Sequence, residues 1–392
     1  MNELGPLLIC SRSFPPLLSG SSILSRNLWG AWPADDLVVL SQQFAGESVD
    51  PKTALPSVQV SCITEEFSSF PKLQTLLRPL MSFPVYKALL ALAKQRKPRA
   101  IWANYPSAGF LLGAWWASRS LRIPLYVHMH DMWEEGFTSP KLFLDLMVAR
   151  LYERRVLKGA KRVFAITDTA AEHFREKHGV DAYVLKHSIP DHDVDKMPFG
   201  VTQSINHVIH FAGYIYPLMN QDAIVNLVKA LDLCHSEITL DGYTQNPVGY
   251  DAVGICGPRV SLRCAPKSEV MAAQRQSAIM FLPLAFQSCN PLEIRSVFPT
   301  KLLEYLVSGR PILVHAPSDS WVSRAARKDG WGEVVDQPDP QLLARAIDAL
   351  LKNEARQKAL VAAAFREARN RLASNVAMGL QKELARIEKT SA

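Results

Sequence analysis

Short apolar runs recur along this chain, most of them followed by a stretch of helical periodicity, and that alternation leaves few folds open. In the first half they are Leu7–Cys10, Leu37–Leu40, Val58–Cys62, Ala100–Ala103, Pro124–His130, Val163–Ile166 and Tyr183–Leu185. In the second half they are His207–Phe211, Ile238–Leu240, Val260–Arg263, Ile279–Leu282, Ile312–Val314 and Gly332–Val335. Between the strands lie helical patterns at Ile23–Trp29, Leu142–Leu157, Gln221–Leu231, Ser268–Gln276, Trp321–Lys328 and Pro340–Asn353. Leu73–Lys94 also reads as helical, broken at Pro79 and Pro84. Thr169–Glu172 has the spacing of a capping box. The polar, proline-bearing stretch Ser188–Thr202 separates two such arrays and reads as a linker. The expectation is an α/β protein with two Rossmann-like domains facing across a cleft.

At 392 residues the chain suits two cores better than one. A hydrophobic share of 48% against 21% charged excludes a disordered chain. The six cysteines are scattered with no C-x-x-C pair, which fits a reducing cytoplasm. No signal peptide and no membrane span are expected, because the apolar stretches around Leu89 and Leu111 are interrupted by Lys87, Lys94 or Arg119. The net charge of +7 is unevenly placed: Phe67–His130 holds nine Lys/Arg and no acid. Its densest part, Lys94–Arg99, lies beyond the apolar-basic stretch Leu76–Ala93. Residues 76–99 therefore read either as an ordinary solvated helix face or as an attachment to an anionic membrane surface. Nucleic acid is not expected as a partner, since no aromatic-basic platform accompanies the charge.

The most informative single stretch is Phe298–Pro311, FPTKLLEYLVSGRP. Thr300 is placed to cap a helix with its hydroxyl, and Gly309 stands where a helix stop takes a left-handed residue. Leu302, Leu303 and Leu306 form an apolar stripe, with Lys301, Glu304 and Ser308 opposite. Free amides and a lysine at a helix start attract an anion, and a carboxylate one turn in can accept from a ribose diol. Together they would cradle a nucleotide diphosphate. An exposed helix with a Lys301/Glu304 pair is the plainer alternative.

Two further places could carry chemistry. His130-Asp131 lies beyond the carboxyl end of a strand, where open parallel sheets bind ligands, and His128 and His130 share one face of that strand. No third ligand is evident for a metal. In the linker, Asp191–Asp195 resembles a calcium loop, but Lys196 and Thr202 stand where glycine and glutamate are needed. No metal site and no cofactor is expected.

Phe298–Pro311, with Leu282–Leu284 before it and Ile312–Ala316 after it, resembles the donor-site signature of the group-1 (family 4) glycosyltransferases of GT-B fold. The resemblance implies transfer of a sugar from a nucleotide-diphosphate donor to a hydroxyl of a glycan or lipid-linked acceptor. It also implies retention and independence of metal. Domain boundaries would fall at 1–190 (acceptor domain), 191–204 (linker) and 205–372 (sugar-nucleotide domain), with a terminal helix over 373–392 crossing back. In the donor site it implies Glu304 on the ribose, and Lys301 with the Thr300, Lys301, Leu302 and Leu303 amides on the diphosphate. Gly20 and Gly213 would allow close approach, and His130, with Asp131, would act on the reacting hydroxyls. The chain departs from the family in two places: Ser296 replaces a glutamate (Glu293 is near), and Tyr214–Asp222 lacks the basic pair expected after Gly213. Arg295 is the substitute phosphate partner considered. Two alternatives share the architecture, a sugar-nucleotide 2-epimerase and a catalytically silent relative docked on a membrane surface. The expected location is the cytoplasm, with residues 76–99 able to hold the protein at the inner face of a membrane.

Overall fold

The computed structural model describes residues 5–17, 19–43, 51–55, 58–64, 82–137, 142–195 and 206–389. The chain divides into two compact units, Met1–Pro190 with Ala373–Ala392, and Asp191–Leu372. The first runs β1 (Leu7–Cys10), α1 (Gly20–Trp29), β2 (Leu37–Gln43), β3 (Gln59–Thr64), α2 (Ser82–Arg96), β4 (Ala100–Tyr105) and α3 (Ala108–Leu121). It continues with β5 (Leu125–Met129), α4 (Phe143–Gly159), β6 (Arg162–Ala165), α5 (Asp168–His178) and β7 (Ala182–Val184). The second runs α6 (Asp191–Asp195), β8 (Val208–Ala212), α7 (Gln221–Leu233), β9 (Thr239–Tyr243), β10 (Val260–Arg263), α8 (Lys267–Gln276) and β11 (Ile279–Pro283). It ends with α9 (Pro291–Ser296), α10 (Lys301–Leu306), β12 (Ile312–His315), α11 (Trp321–Asp329), β13 (Gly332–Val335), α12 (Pro340–Lys352) and α13 (Glu354–Arg369). Helix α14 (Ala373–Lys389) closes the described chain and belongs to the first unit.

Each unit is built on one parallel sheet, ordered β3-β2-β1-β4-β5-β6-β7 in the first and β10-β9-β8-β11-β12-β13 in the second. Strand order reverses between β1 and β4, and again between β8 and β11. Crevices for ligands open at such points, outside the carboxyl ends of the strands. Residues Ser11 and Gly213 follow the strands beside the two reversals.

The first core is aromatic: Trp29 packs edge-on against Trp102 at 5.3 Å, and Trp102 against Phe164 at 4.7 Å. Helix α14 completes it with Val376, Ala377, Leu380, Leu384 and Ile387. Glu383 of that helix also lies 3.2 Å from Arg162 at the start of β6. Each large apolar side chain so buried contributes about 1.5–3 kcal/mol, so the terminal helix is part of this unit's core. The second core gathers Ile209, Phe211, Leu227, Ile279, Phe281, Leu313 and Ile347 between β8, β11, β12 and the helices α7 and α12.

Several local expectations are corrected. Pro84 does not break α2; it lies in the first turn, where no helical amide is needed, while Pro79 lies outside the described residues. Helix α5 is capped by Thr167, whose hydroxyl accepts from the Ala170 amide, so the helix starts ahead of the Thr169–Glu172 box. Between β11 and α10, Asn290 caps α9 by accepting from the Glu293 amide, with Pro291 in the first turn. Part of the linker, Asp191–Asp195, is a helical turn, and 196–204 lie outside the described residues. The tail is two helices, interrupted at residues 370–372.

Candidate functional site

In the second unit the sheet's carboxyl edge brings Gly213 and Glu304 together through Lys301. Gly213 follows β8 with φ +146°, a conformation that side chains rarely adopt, and its amide donates to the Tyr243 carbonyl at 2.8 Å. A Cβ there would lie 3.5 Å from Lys301 Cε, so the lysine stem runs directly over the glycine. Beneath, the buried Tyr305 hydroxyl accepts from the Ala212 amide at 3.1 Å, fixing α10 against the end of β8.

Glu304 is partly shielded, its side chain 28% exposed. Lys267 Nζ stands 3.5 Å from Oε1 and Lys301 Nζ 3.8 Å from Oε2. Burial pushes the carboxyl up; Lys301, Lys267 and the Gln274 amide outweigh it and hold Glu304 below the ordinary carboxylate range. The fully buried His210 beneath is pushed down to about 4, first by burial and then by Lys301, so it is neutral at pH 7. Beside it Arg263 pairs with Asp241 and covers the Tyr243 ring at 4.8 Å. The site is therefore a carboxylate between two ammonium groups, next to a backbone that only glycine relaxes into.

The stretch between Gly213 and α7 presents aromatics. Tyr214 and Tyr216 stack at 5.5 Å, both about half exposed. Asn220 holds the turn, accepting from the Tyr216 amide and donating to the Tyr214 carbonyl, each at 2.9 Å.

Three expectations for this site change. Thr300 has helical dihedrals (φ −59°, ψ −27°) and its side chain makes no capping bond. The Leu302 and Leu303 amides are not free, donating to Pro299 and Thr300 carbonyls at 2.9 and 3.2 Å, and both side chains are core. Ser308 does not share the Lys301/Glu304 face; it is buried past the six-residue helix and bonded to the Tyr305 carbonyl. Gly309 does take the left-handed conformation, at φ +75°. Arg295 lies 3.2 Å from Asp319, and Ser296 is buried with its hydroxyl on the Leu292 carbonyl at 2.7 Å. Glu293, bonded by the Asn290 amide, is pushed up by burial.

The first unit has its own polar cluster at the sheet edge. His130 Nε2 and His128 Nδ1 are 3.0 Å apart, and the His187 ring, from the segment after β7, lies 5.5 Å from that of His130. All three are buried. Burial pushes His130 down to about 4 and His128 well below its ordinary value, so both are neutral at pH 7. Strand alternation makes His128 the orienting partner of His130. Asp131 is exposed, and His130 Nδ1 has no hydrogen-bond partner. Nearby, Trp102 donates to Asn104 and Asn104 to Ser11, at 2.8 and 3.2 Å. Gly20 opens α1 behind the Ser19 cap with open space where a Cβ would stand, so nothing in the backbone demands glycine there. Among the described residues no three or more His, Cys, Asp or Glu side chains are arranged to hold a metal ion, and no helix is long and apolar enough to cross a membrane. Sequence reasoning did not assign Gln274, Arg263 or His187 to either cluster; each comes from an element remote in sequence from the motif it joins.

Residues 29–185 match the family model of the glycosyl transferase 4-like domain. The fold of the chain is that of the GT-B glycosyltransferases. Among solved structures it is similar to HepE from Anabaena in complex with UDP and glucose, at 16% identity and a TM-score of 0.68, covering 97% of this chain and 99% of that one. It is also similar to sucrose-phosphate synthase from Thermosynechococcus elongatus (13%, TM-score 0.69, 99% and 100% covered). A third is the UDP-forming α,α-trehalose-phosphate synthase from Burkholderia xenovorans with glucose-6-phosphate (11%, TM-score 0.65, 97% and 100% covered). No curated protein matches the chain by sequence.

Proposed function

We propose that this protein is a glycosyltransferase that moves a sugar from a nucleotide-diphosphate sugar to a hydroxyl of a polysaccharide-building or lipid-linked acceptor, with retention and without a metal ion. The observation that carries the donor reading is Glu304: a shielded, ionised carboxylate at the carboxyl edge of a parallel sheet, tied to Lys301 above Gly213. HepE was crystallised with UDP and with UDP-glucose, which supports the same donor class here. Glu304 accepts from the ribose hydroxyls, Lys301 meets the diphosphate, and Gly213 lets the backbone approach. The donor's own phosphate takes the acceptor proton, and the protein contributes position and fixed charge. His130, a neutral imidazole oriented by His128, hydrogen-bonds a hydroxyl of the reacting sugars. A thermal-shift panel of UDP-, GDP-, ADP- and TDP-sugars tests the reading, because a ligand of the native state raises the melting temperature. Stabilisation by none of the four would refute it.

A location at the inner face of a membrane rests on α2. Its outer stripe carries Phe83, 53% exposed, with Lys87 4.6 Å over the ring, and ends in exposed Lys94, Arg96 and Lys97. Cations beside an apolar ring suit anionic headgroups. Arg99 is removed from the expected patch, since it pairs with Asp36 and lies 3.8 Å from Glu388. Residues 76–81 of the expected stretch lie outside the described residues.

A further inference from the structure

We infer that Lys267 is the second cation of the donor diphosphate site, standing in for the basic residues that the turn after Gly213 lacks; this rests on the donor reading above. The sequence from Tyr214 to Asp222 contains no lysine or arginine, and two of the four amides expected to help, those of Leu302 and Leu303, donate to the Pro299 and Thr300 carbonyls. That leaves Lys301 as the single side-chain cation of the motif against a diphosphate that carries a negative charge on each phosphate. One ammonium does not balance that charge.

The remaining cations near the edge differ in how they are held. Arg263 is fixed by Asp241 and by the Tyr243 ring, and Arg295 by Asp319. Lys267 instead converges with Lys301 on opposite oxygens of one carboxylate. Its separation of 3.5 Å is longer than the roughly 2.7–2.9 Å of a charge-assisted hydrogen bond, and its side chain is 63% exposed on a flexible stem. Both lysines are thus poised beside Glu304 and loosely held. Lys267 and the buried Gln274 lie seven residues apart on one face of α8, and both bear on Glu304, so this face is turned toward the site. Together the two lysines match the diphosphate's charge. When they move onto the phosphates, Glu304 loses its cation partners and its oxygens become available to the ribose hydroxyls. Lys267 therefore touches the substrate and also gates the carboxylate that holds the sugar of the nucleoside.

The experiment compares UDP, GDP, ADP and TDP with their monophosphates by calorimetry, for the wild-type chain, Lys267→Met and Lys301→Met. Lys267→Met keeps the stem and removes the charge, and the exposed position leaves folding intact, as a melting curve would verify. The expected result is a loss of about tenfold in diphosphate affinity and of less than threefold for the monophosphate, with the same pattern in a Glu304→Gln background. Equal losses for both would assign Lys267 to holding Glu304 only, and would overturn the inference. So would an unchanged diphosphate-to-monophosphate ratio while Lys301→Met lowers it. Wild-type binding to none of the four nucleotides would overturn the donor reading and this inference together, and is distinguishable from failure of Lys267 alone.

Discussion

Replacing Glu304 by alanine sets two effects against each other, and their sizes decide the outcome. Removing the carboxylate takes away a charge-assisted acceptor for the ribose, worth roughly 1.5–3 kcal/mol. It also frees Lys301 and Lys267, whose contacts with Glu304 at 3.8 and 3.5 Å are partly exposed. Such exposed pairs contribute about 0.2–1 kcal/mol, and their release favours an incoming diphosphate. Taking each range at its middle and both pairs together leaves a net loss of about 1 kcal/mol, or about fivefold in affinity. Calorimetry with the ribonucleotide and its 2′,3′-dideoxy analogue separates the two effects. Wild type should prefer the ribonucleotide, and Glu304→Ala should bind both alike, because the preference comes from the diol alone. A variant that kept its preference for the ribose would show that Glu304 does not hold it. Tighter diphosphate binding in the variant would show that the lysine release dominates.

Acid should destabilise the fold through its buried histidines. His130, His210 and His315 are each held near 4 mainly by burial, and His128 is also lowered. The unfolded chain then binds more protons between pH 6.5 and 4, so stability is fully present above about 6.5 and falls as the pH drops through that window. At pH 5 each group costs at most roughly 2 kcal/mol, and urea midpoints at pH 7 and 5 should differ clearly; a flat profile would contradict neutral burial. On the surface, Lys94→Ser, Arg96→Ser and Lys97→Asn (asparagine suits the left-handed backbone, φ 47°) should reduce flotation with anionic vesicles while changing stability by less than about 0.5 kcal/mol. Arg99→Ser should do the reverse, costing roughly 2–3 kcal/mol by stranding Asp36 with no loss of flotation, since Arg99 is only 12% exposed. Undiminished flotation in the triple variant would discard the membrane reading.

The topology was legible because strands buried on both faces announce themselves as uninterrupted apolar runs: Leu7–Cys10 and Ile312–Val314 are fully buried and lie in strands. Local rules failed where two signals competed. Pro84 is a helix breaker that a first turn tolerates, and Thr300 has a capping hydroxyl at a position where the chain is already helical. Asn290-Pro291 is a readable helix start, an asparagine cap followed by a proline in the first turn. The clusters were harder for a different reason. Glu304 and Lys301 are a turn apart and visible as a motif, whereas Lys267 arrives from the start of α8 and His187 from the segment after β7. Within its own unit, sheet order alone brings Lys267 to Glu304 and His187 to His130. A missing basic pair in one turn is therefore weak evidence of lost activity in a parallel sheet, because several strand ends converge on one crevice and the same charge can be delivered from a neighbouring strand's loop.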